Sequence, residues 1–355
     1  MISVVSRWYQ ERFSDPHAVT LFLLLVFGFS VIYFAGSLIT PFLVAVVLAY
    51  LLDWPLIQLM RLGLSRTWAT VIILLLFVTS MVMLMLGLVP TVWHQGVTLV
   101  KAMPAMLKQG QEFLLMLPQE NPDLFNAELI KTASIAVQDH VVSSGEMIVS
   151  ASFASLFDLA AILIYSILVP LLVFFMLKDK HILVKALVSI LPQNRRLAME
   201  VWTEMNGQIA NYIRGKVFEI IIVGFCTWLV FFFTDLQYAA LLAVLVGFSV
   251  LIPYIGAAAV TVPVMLVGLF QWGLTPEFTY MMIAYGIVQA LDGNLLVPLL
   301  FSEAVNLHPV AIIMSVLVFG GMWGFWGVFF AIPLATLVKA VLNAWPKRGA
   351  MPVED

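Results

Sequence analysis

Residues 281–301 read MMIAYGIVQALDGNLLVPLLF. The run has the length of a membrane span, about 20 residues, and its one charged side chain is Asp292, flanked by Gln289 and Asn294. A carboxylate in a hydrocarbon-length segment is costly unless it faces protein, water or a cation. The surroundings sharpen the point: from Val217 to Val338 there is no lysine or arginine, yet Glu219, Asp235, Glu277, Asp292 and Glu303 are kept. No basic residue inside this stretch can neutralise Asp292. The plain alternative is a protonated or hydrogen-bonded packing residue. The functional reading makes Asp292, with Gln289 and Asn294, a polar site for an ion or substrate.

The rest of the chain sets that site in a membrane. Apolar residues make up 63% of the 355 and charged residues 10%, against about half and a quarter in an ordinary soluble domain. Such an excess cannot be buried in a soluble core, and the expectation is an all-α polytopic membrane protein. The net charge of −3 and the lack of a long basic patch give no reason to expect nucleic acid. Cys226 is the only cysteine, so there is no disulfide framework and no thiolate metal site.

Spans are expected at Ala18–Ile39, Phe42–Leu59, Ala69–Pro90, Leu156–Leu177 and Val217–Phe233, with Arg7 and Arg12 preceding a retained first span rather than a cleaved signal. The pattern then changes. Leu241–Phe270 is interrupted at Pro253 and Gly256, and His308–Leu342 at Gly320, Gly321, Gly324, Gly327 and then Pro333. With Thr279–Phe301 between them, the total is about seven to ten membrane segments, including two Pro/Gly-broken hairpins. Irregular backbone at membrane depth is tolerated only where protein or a watery cavity satisfies it, and interrupted segments in transporters offer free N–H or C=O groups near the midplane. The interruptions are therefore candidate gates. Val244-Leu245-Val246 and Gly256 recur as Val316-Leu317-Val318 and Gly327, a weak internal repeat. Glu303 and Asn306 lie beside the second hairpin, with Asn306 the expected N-cap of the helix that Pro309 opens.

Loop charge orients the spans. Lys178–Lys216 holds seven of the chain's 17 basic residues, whereas Thr91–Phe153 has three lysines against six acids. The positive-inside bias places the first in the cytoplasm and the second outside. Both segments show helical apolar stripes, one through Leu197, Val201, Met205, Ile209 and Tyr212, suited to interfacial or subunit packing. The expected organisation is thus N-terminal spans at 1–90, an outer helical segment at 91–153, a span at 154–177 and basic cytoplasmic helices at 178–216. A membrane region at 217–345 and a cytoplasmic tail at 346–355 complete it, with both termini cytoplasmic. Arg214, Lys216 and Glu219 stand at a cytoplasmic helix entrance, where membrane anchoring is the favoured reading for Arg214 and Lys216.

Several motifs carry a family resemblance. Gln289–Pro298, Asn306-Leu307-His308-Pro309, the Gly320–Gly327 turn, Ala331–Ala335, Asn211–Lys216 and Leu251–Gly256 resemble the autoinducer-2 exporter family, in particular its PerM-type permeases. The resemblance covers nearly the whole chain. It implies a bacterial inner-membrane permease that assembles as a homo-oligomer; members have been linked to export of the furanone signal and to sodium/proton exchange. It supplies no agreed site residues.

Enzyme chemistry finds no support: there is no His-Glu-x-x-His, no Gly-x-Ser-x-Gly, and the five histidines are scattered. No cofactor or metal is expected. The reading is a secondary transporter of the bacterial inner membrane that exports a small polar solute coupled to proton or sodium movement. Its partners would be membrane lipid, the solute or ion, and further copies of the chain. A passive oligomeric channel and a non-transporting membrane scaffold are the alternatives.

Overall fold

The computed structural model describes residues 16–120, 156–190, 196–301 and 307–344. Every regular element among them is helical: α1 Pro16–Arg61, α2 Arg66–Glu120, α3 Leu156–Lys178, α4 Lys180–Ile190, α5 Arg196–Phe233, α6 Ala239–Ser249, α7 Ile255–Trp272 and α8 Pro276–Leu291. A π-helical turn at Asp292–Leu296 leads into α9 Val297–Phe301, and α10 Pro309–Trp323, α11 Phe325–Phe329 and α12 Ala331–Ala344 complete the order. Five helical runs among the described residues are long and apolar enough to cross a membrane, Ile39–Arg61, Arg66–Met106, Met199–Phe233, Ile255–Trp272 and the continuous α8–π-turn–α9 run Pro276–Phe301, with shorter apolar helices beside them. The protein is an all-α polytopic membrane protein.

Several expected boundaries do not interrupt the helices. α1 runs unbroken for 46 residues, about 69 Å at the helical rise, where the sequence suggested two spans separated near Pro41. α2 continues beyond Pro90 to Glu120, 55 residues in all. α5 passes through Lys216 and Val217 without a break, so the stripe expected in the cytoplasm and the expected span are one helix of 38 residues. In each case the helix continues through the interruption inferred from polarity or proline, and Pro41 and Pro90 each forgo one backbone hydrogen bond without ending it. Residues 121–153 of the outer segment lie outside the described residues.

α5 is the hub. It packs on α1, α6, α8, α9, α12 and the π-turn. Its contact with α6 is close because Gly224 and Gly247 face one another: a Cβ at Gly247 would meet the Ile220 carbonyl at 2.9 Å. Small residues at a membrane helix crossing let backbones approach and multiply dispersion contacts. The expected stripe of α5 is buried at Val201, Met205 and Tyr212. It packs within the chain: Ile209 joins a core of Val47, Tyr212, Ile213, Leu251, Ile312, Phe329 and Ile332, and Asn206 accepts a 2.7 Å hydrogen bond from Tyr50. Basic residues gather at one end, where Arg66 Nε donates to the Leu177 carbonyl at 2.8 Å and Lys180 pairs with Asp53 at 2.9 Å.

The two hairpins are α6–α7 and α10–α12. α6, α10 and α12 have 11, 15 and 14 residues, lengths of roughly 16–22 Å, so none crosses a hydrocarbon core of about 30 Å unaided. The first hairpin breaks at 250–254. Tyr254 has φ 64 and ψ −51, and Ile255 N–H donates to the Pro253 carbonyl at 2.7 Å. This is the strained γ-turn that non-glycine residues rarely adopt. The second hairpin breaks at Gly324, φ 58. Gly320 and Gly321, expected at the break, lie within α10, and Pro333 lies in the first turn of α12, where a missing N–H costs least.

Candidate functional site

A cavity of about 270 Å³ opens between the turn of the first hairpin, the middle of α5, the π-turn and the inner faces of α10 and α12. Its wall is largely apolar, as expected at membrane depth. Its ionisable side chains are Lys216, Glu219, Asp292, Tyr212 and Tyr254.

The π-turn brings Asp292 there. The Val297 N–H donates to the Asp292 carbonyl, five residues back, in place of the usual four. Such one-turn widenings recur at functional sites because they redirect side chains without ending the helix. Asp292 is 8% exposed, and its Oδ1 has no hydrogen-bond partner among the described residues.

α5 supplies the counter-charge. Lys216 and Glu219 are 4% and 2% exposed and pair at 2.6 Å. Lys216 Nζ also donates to the Val250 carbonyl at 3.0 Å, at the end of the first arm of the hairpin, and lies 5.0 Å from the Phe301 ring centroid. The contact with α9 is tight at the adjacent Gly215, where a Cβ would meet Phe301 Cε1 at 2.8 Å. Lys216 and Asp292 line the same cavity and interact electrostatically. The lysine that stands just before the cation-free stretch is therefore turned into the cavity, where it pairs with Glu219. Lys216 is buried there, with its ammonium held by protein.

Gln289 lines the cavity beside Asp292 and donates through Nε2 to Tyr285 Oη at 2.8 Å. Tyr285 Oη is in turn 3.0 Å from Thr261 Oγ1. This polar chain was not apparent from sequence, although the four-residue spacing of Tyr285 and Gln289 on one helix face could have suggested it. The grouping of Gln289, Asp292 and Asn294 is only partly realised. Asn294 is exposed, and its Nδ2 donates to the Ala290 carbonyl at 2.8 Å. Positions two apart on a helix do not share a face, so Asp292 and Asn294 diverge.

The remaining candidates distribute as follows. Pro253 lines the cavity. Gly256 and Gly327 close their hairpins, since a Cβ on either would overlap the carbonyl of Ser249 or of Phe319. Gly320 abuts Val328, and Gly321 faces open space. Arg214 stays on its own helix, with Nε donating to the Ala210 carbonyl at 3.0 Å, and is not part of the cavity wall. Glu303 and Asn306 lie outside the described residues. The cap expected of Asn306 falls to His308, whose Nδ1 accepts from the Val310 N–H at 3.3 Å. No group of three or more metal-ligating side chains occurs among the described residues.

A polytopic helical protein with broken hairpins around a buried charged cavity has the build of a membrane transport protein. Comparison with known proteins carries this to the family: residues 22–347 match the family described as AI-2E family transporter, and the chain belongs to it. It is 54% identical over 346 residues to "Putative permease PerM" of Escherichia coli (strain K12), covering 98% of each chain. It is 27% identical over 320 residues to "Putative transport protein YueF" of Bacillus subtilis (strain 168), covering 87% of this chain and 84% of the relative. The family and these names indicate transport rather than catalysis.

Proposed function

We propose that the protein is a secondary transporter of the bacterial inner membrane that moves a small polar solute outward, coupled to a proton or sodium ion at Asp292. The observation that carries this reading is the Asp292 carboxylate, more than nine-tenths buried, with an unpartnered Oδ1. It faces a cavity shared with Lys216, Glu219 and Gln289. A buried carboxylate is retained at such cost where it exchanges a cation or binds a ligand. The cavity lies against the break of one hairpin and the arms of the other, the setting in which alternating access works by moving hairpins around a fixed site.

Orientation and assembly belong to the same proposal. The positive-inside bias puts the end that holds Arg61, Arg66, Lys178 and Lys180 in the cytoplasm, and the C-terminus with it if each hairpin is re-entrant, whereas the unbroken α1 carries its Pro16 end to the opposite side. The outward direction and a homo-oligomeric state rest on the family resemblance alone.

The test is flux in liposomes. Purified protein under an imposed sodium or pH gradient should move ions, read by an internal pH dye, and Asp292→Asn should abolish this while assembling normally. Wild-type ion coupling in that variant would remove Asp292 from the mechanism. Solute flux without ion coupling in the native protein would make it a passive channel.

A further inference from the structure

The charge count of the cavity goes further. Glu219 and Asp292 are two carboxylates, Lys216 is one cation, and the other ionisable groups on the wall are the phenols of Tyr212 and Tyr254. The ammonium lies 2.6 Å from Glu219 Oε2 and donates to the Val250 carbonyl at 3.0 Å, and Asp292 Oδ1 has no hydrogen-bond partner among the described residues. With both carboxylates ionised the cavity is one positive charge short. The ligand that balances it is a single monovalent cation, whereas a divalent cation would leave it one charge in excess.

We propose that Lys216 is a resident cation that competes with one monovalent cation for the Glu219–Asp292 carboxylates, and that the same ammonium holds the first hairpin to α5. The proposal rests on the site described above and adds the number of ions and the residue that opposes them. A cation arriving between the two carboxylates weakens the hold of Glu219 on the ammonium through like-charge repulsion at short range in a medium of low dielectric. Because that ammonium also binds the Val250 carbonyl, ion occupancy is transmitted to the segment that carries Pro253 and the strained Tyr254. Lys216 is thus a positioning residue for the hairpin as well as a competitor for the site.

The experiment is cation binding to the full-length protein in detergent. Sodium chloride is titrated against choline chloride at constant ionic strength, and binding is followed by isothermal titration calorimetry. A weakly buffered sample with a pH dye reports whether sodium displaces a proton. Lys216→Gln leaves two uncompensated carboxylates and should tighten sodium binding by about tenfold or more. Glu219→Gln frees the ammonium for Asp292 and should weaken binding by a similar factor. The double variant Lys216→Gln/Glu219→Gln restores the original charge balance and should return affinity to within about threefold of the native value.

In a Cys226→Ala background, a Tyr254→Cys reporter should react with a polar maleimide faster when sodium is added, and fast without sodium once Lys216 is Gln. Equal or weaker sodium binding in folded Lys216→Gln protein overturns the competition, and so does a double variant that binds no better than Glu219→Gln alone. Should Lys216→Gln not fold, Glu219→Gln decides alone: unchanged affinity overturns the proposal. Sodium-independent reporter kinetics overturn the hairpin linkage. Competition at the site without ion-coupled flux in liposomes would instead defeat the transport reading and leave this one standing.

Discussion

At the first hairpin α5 holds the backbone with an ammonium; at the second, one helical turn earlier, it holds it with a phenol. Lys216 Nζ donates to the Val250 carbonyl and Tyr212 Oη to the Phe329 carbonyl, each at 3.0 Å. The hairpins also share their closing device, a glycine early in the returning segment pressed against the carbonyl of the first arm. Backbone construction is therefore common to the two, and electrostatics separates them. The first hairpin is tied to a group whose hold depends on what occupies Glu219 and Asp292. The second is tied by a neutral hydroxyl among aromatic rings, with Phe329 at 6.3 Å and Phe301 at 5.9 Å from the Tyr212 ring. One is suited to respond to an ion, and the other to stay put.

The shared half of that comparison gives the largest expected effect. Gly256→Ala and Gly327→Ala each drive a Cβ into a backbone carbonyl, which cannot swing aside as a side chain can. Each should destabilise the fold by about 3 kcal/mol, read as a lower thermal midpoint in detergent, with the two variants falling together. A Gly256→Ala protein that melts like the native one while Gly327→Ala collapses would break the equivalence of the hairpins and make the first closure plastic.

The contrasting half predicts a smaller effect. Tyr212→Phe keeps the ring packing and removes one neutral hydrogen bond, at a cost of about 1 kcal/mol. Ion-coupled flux and sodium affinity should be preserved, because Tyr212 carries no charge in the balance. If Tyr212→Phe altered sodium affinity as strongly as Lys216→Gln, the second hairpin would also be responsive, and the division drawn here would fail.

The same residues show what the sequence could and could not disclose. Membrane class, helical make-up and the two broken hairpins follow from composition and from the placement of proline and glycine, which act locally. The cost of a carboxylate in hydrocarbon is also a local argument, and it was enough to single out Asp292. The identity of the cation that shares its cavity is not local. Lys216 ends a run of basic residues that reads as a cytoplasmic anchor, and only the packing of α5 against the π-turn turns it inward. Helix ends misled for a related reason: Pro41 and Pro90 read as boundaries, but α1 and α2 continue through them. Break positions were legible to within a few residues. Gly320 and Gly324 look alike in sequence, and only Gly324 takes the positive φ.

The least perturbing substitution probes the face of α8 and the π-turn that points away from the cavity. Asn294 is exposed and satisfies its amide on the Ala290 carbonyl of its own helix, whereas Gln289 lines the cavity. Removing Asn294 takes nothing from the charge balance and leaves no buried group unpaired. Asn294→Ala should therefore change stability by less than about 0.5 kcal/mol and leave ion-coupled flux at the native level. Gln289→Ala should raise the sodium concentration needed for half-maximal flux, because it removes a polar wall of the site. An amide in a lipid-facing position has one other use, which is to hydrogen-bond a neighbouring copy of the chain. That possibility makes the small prediction informative. If Asn294→Ala left sodium affinity untouched but shifted the particle mass in detergent, this face would be a subunit contact. The cavity and the assembly surface would then lie back to back on one helix, with Asp292 and Gln289 two and five residues from Asn294.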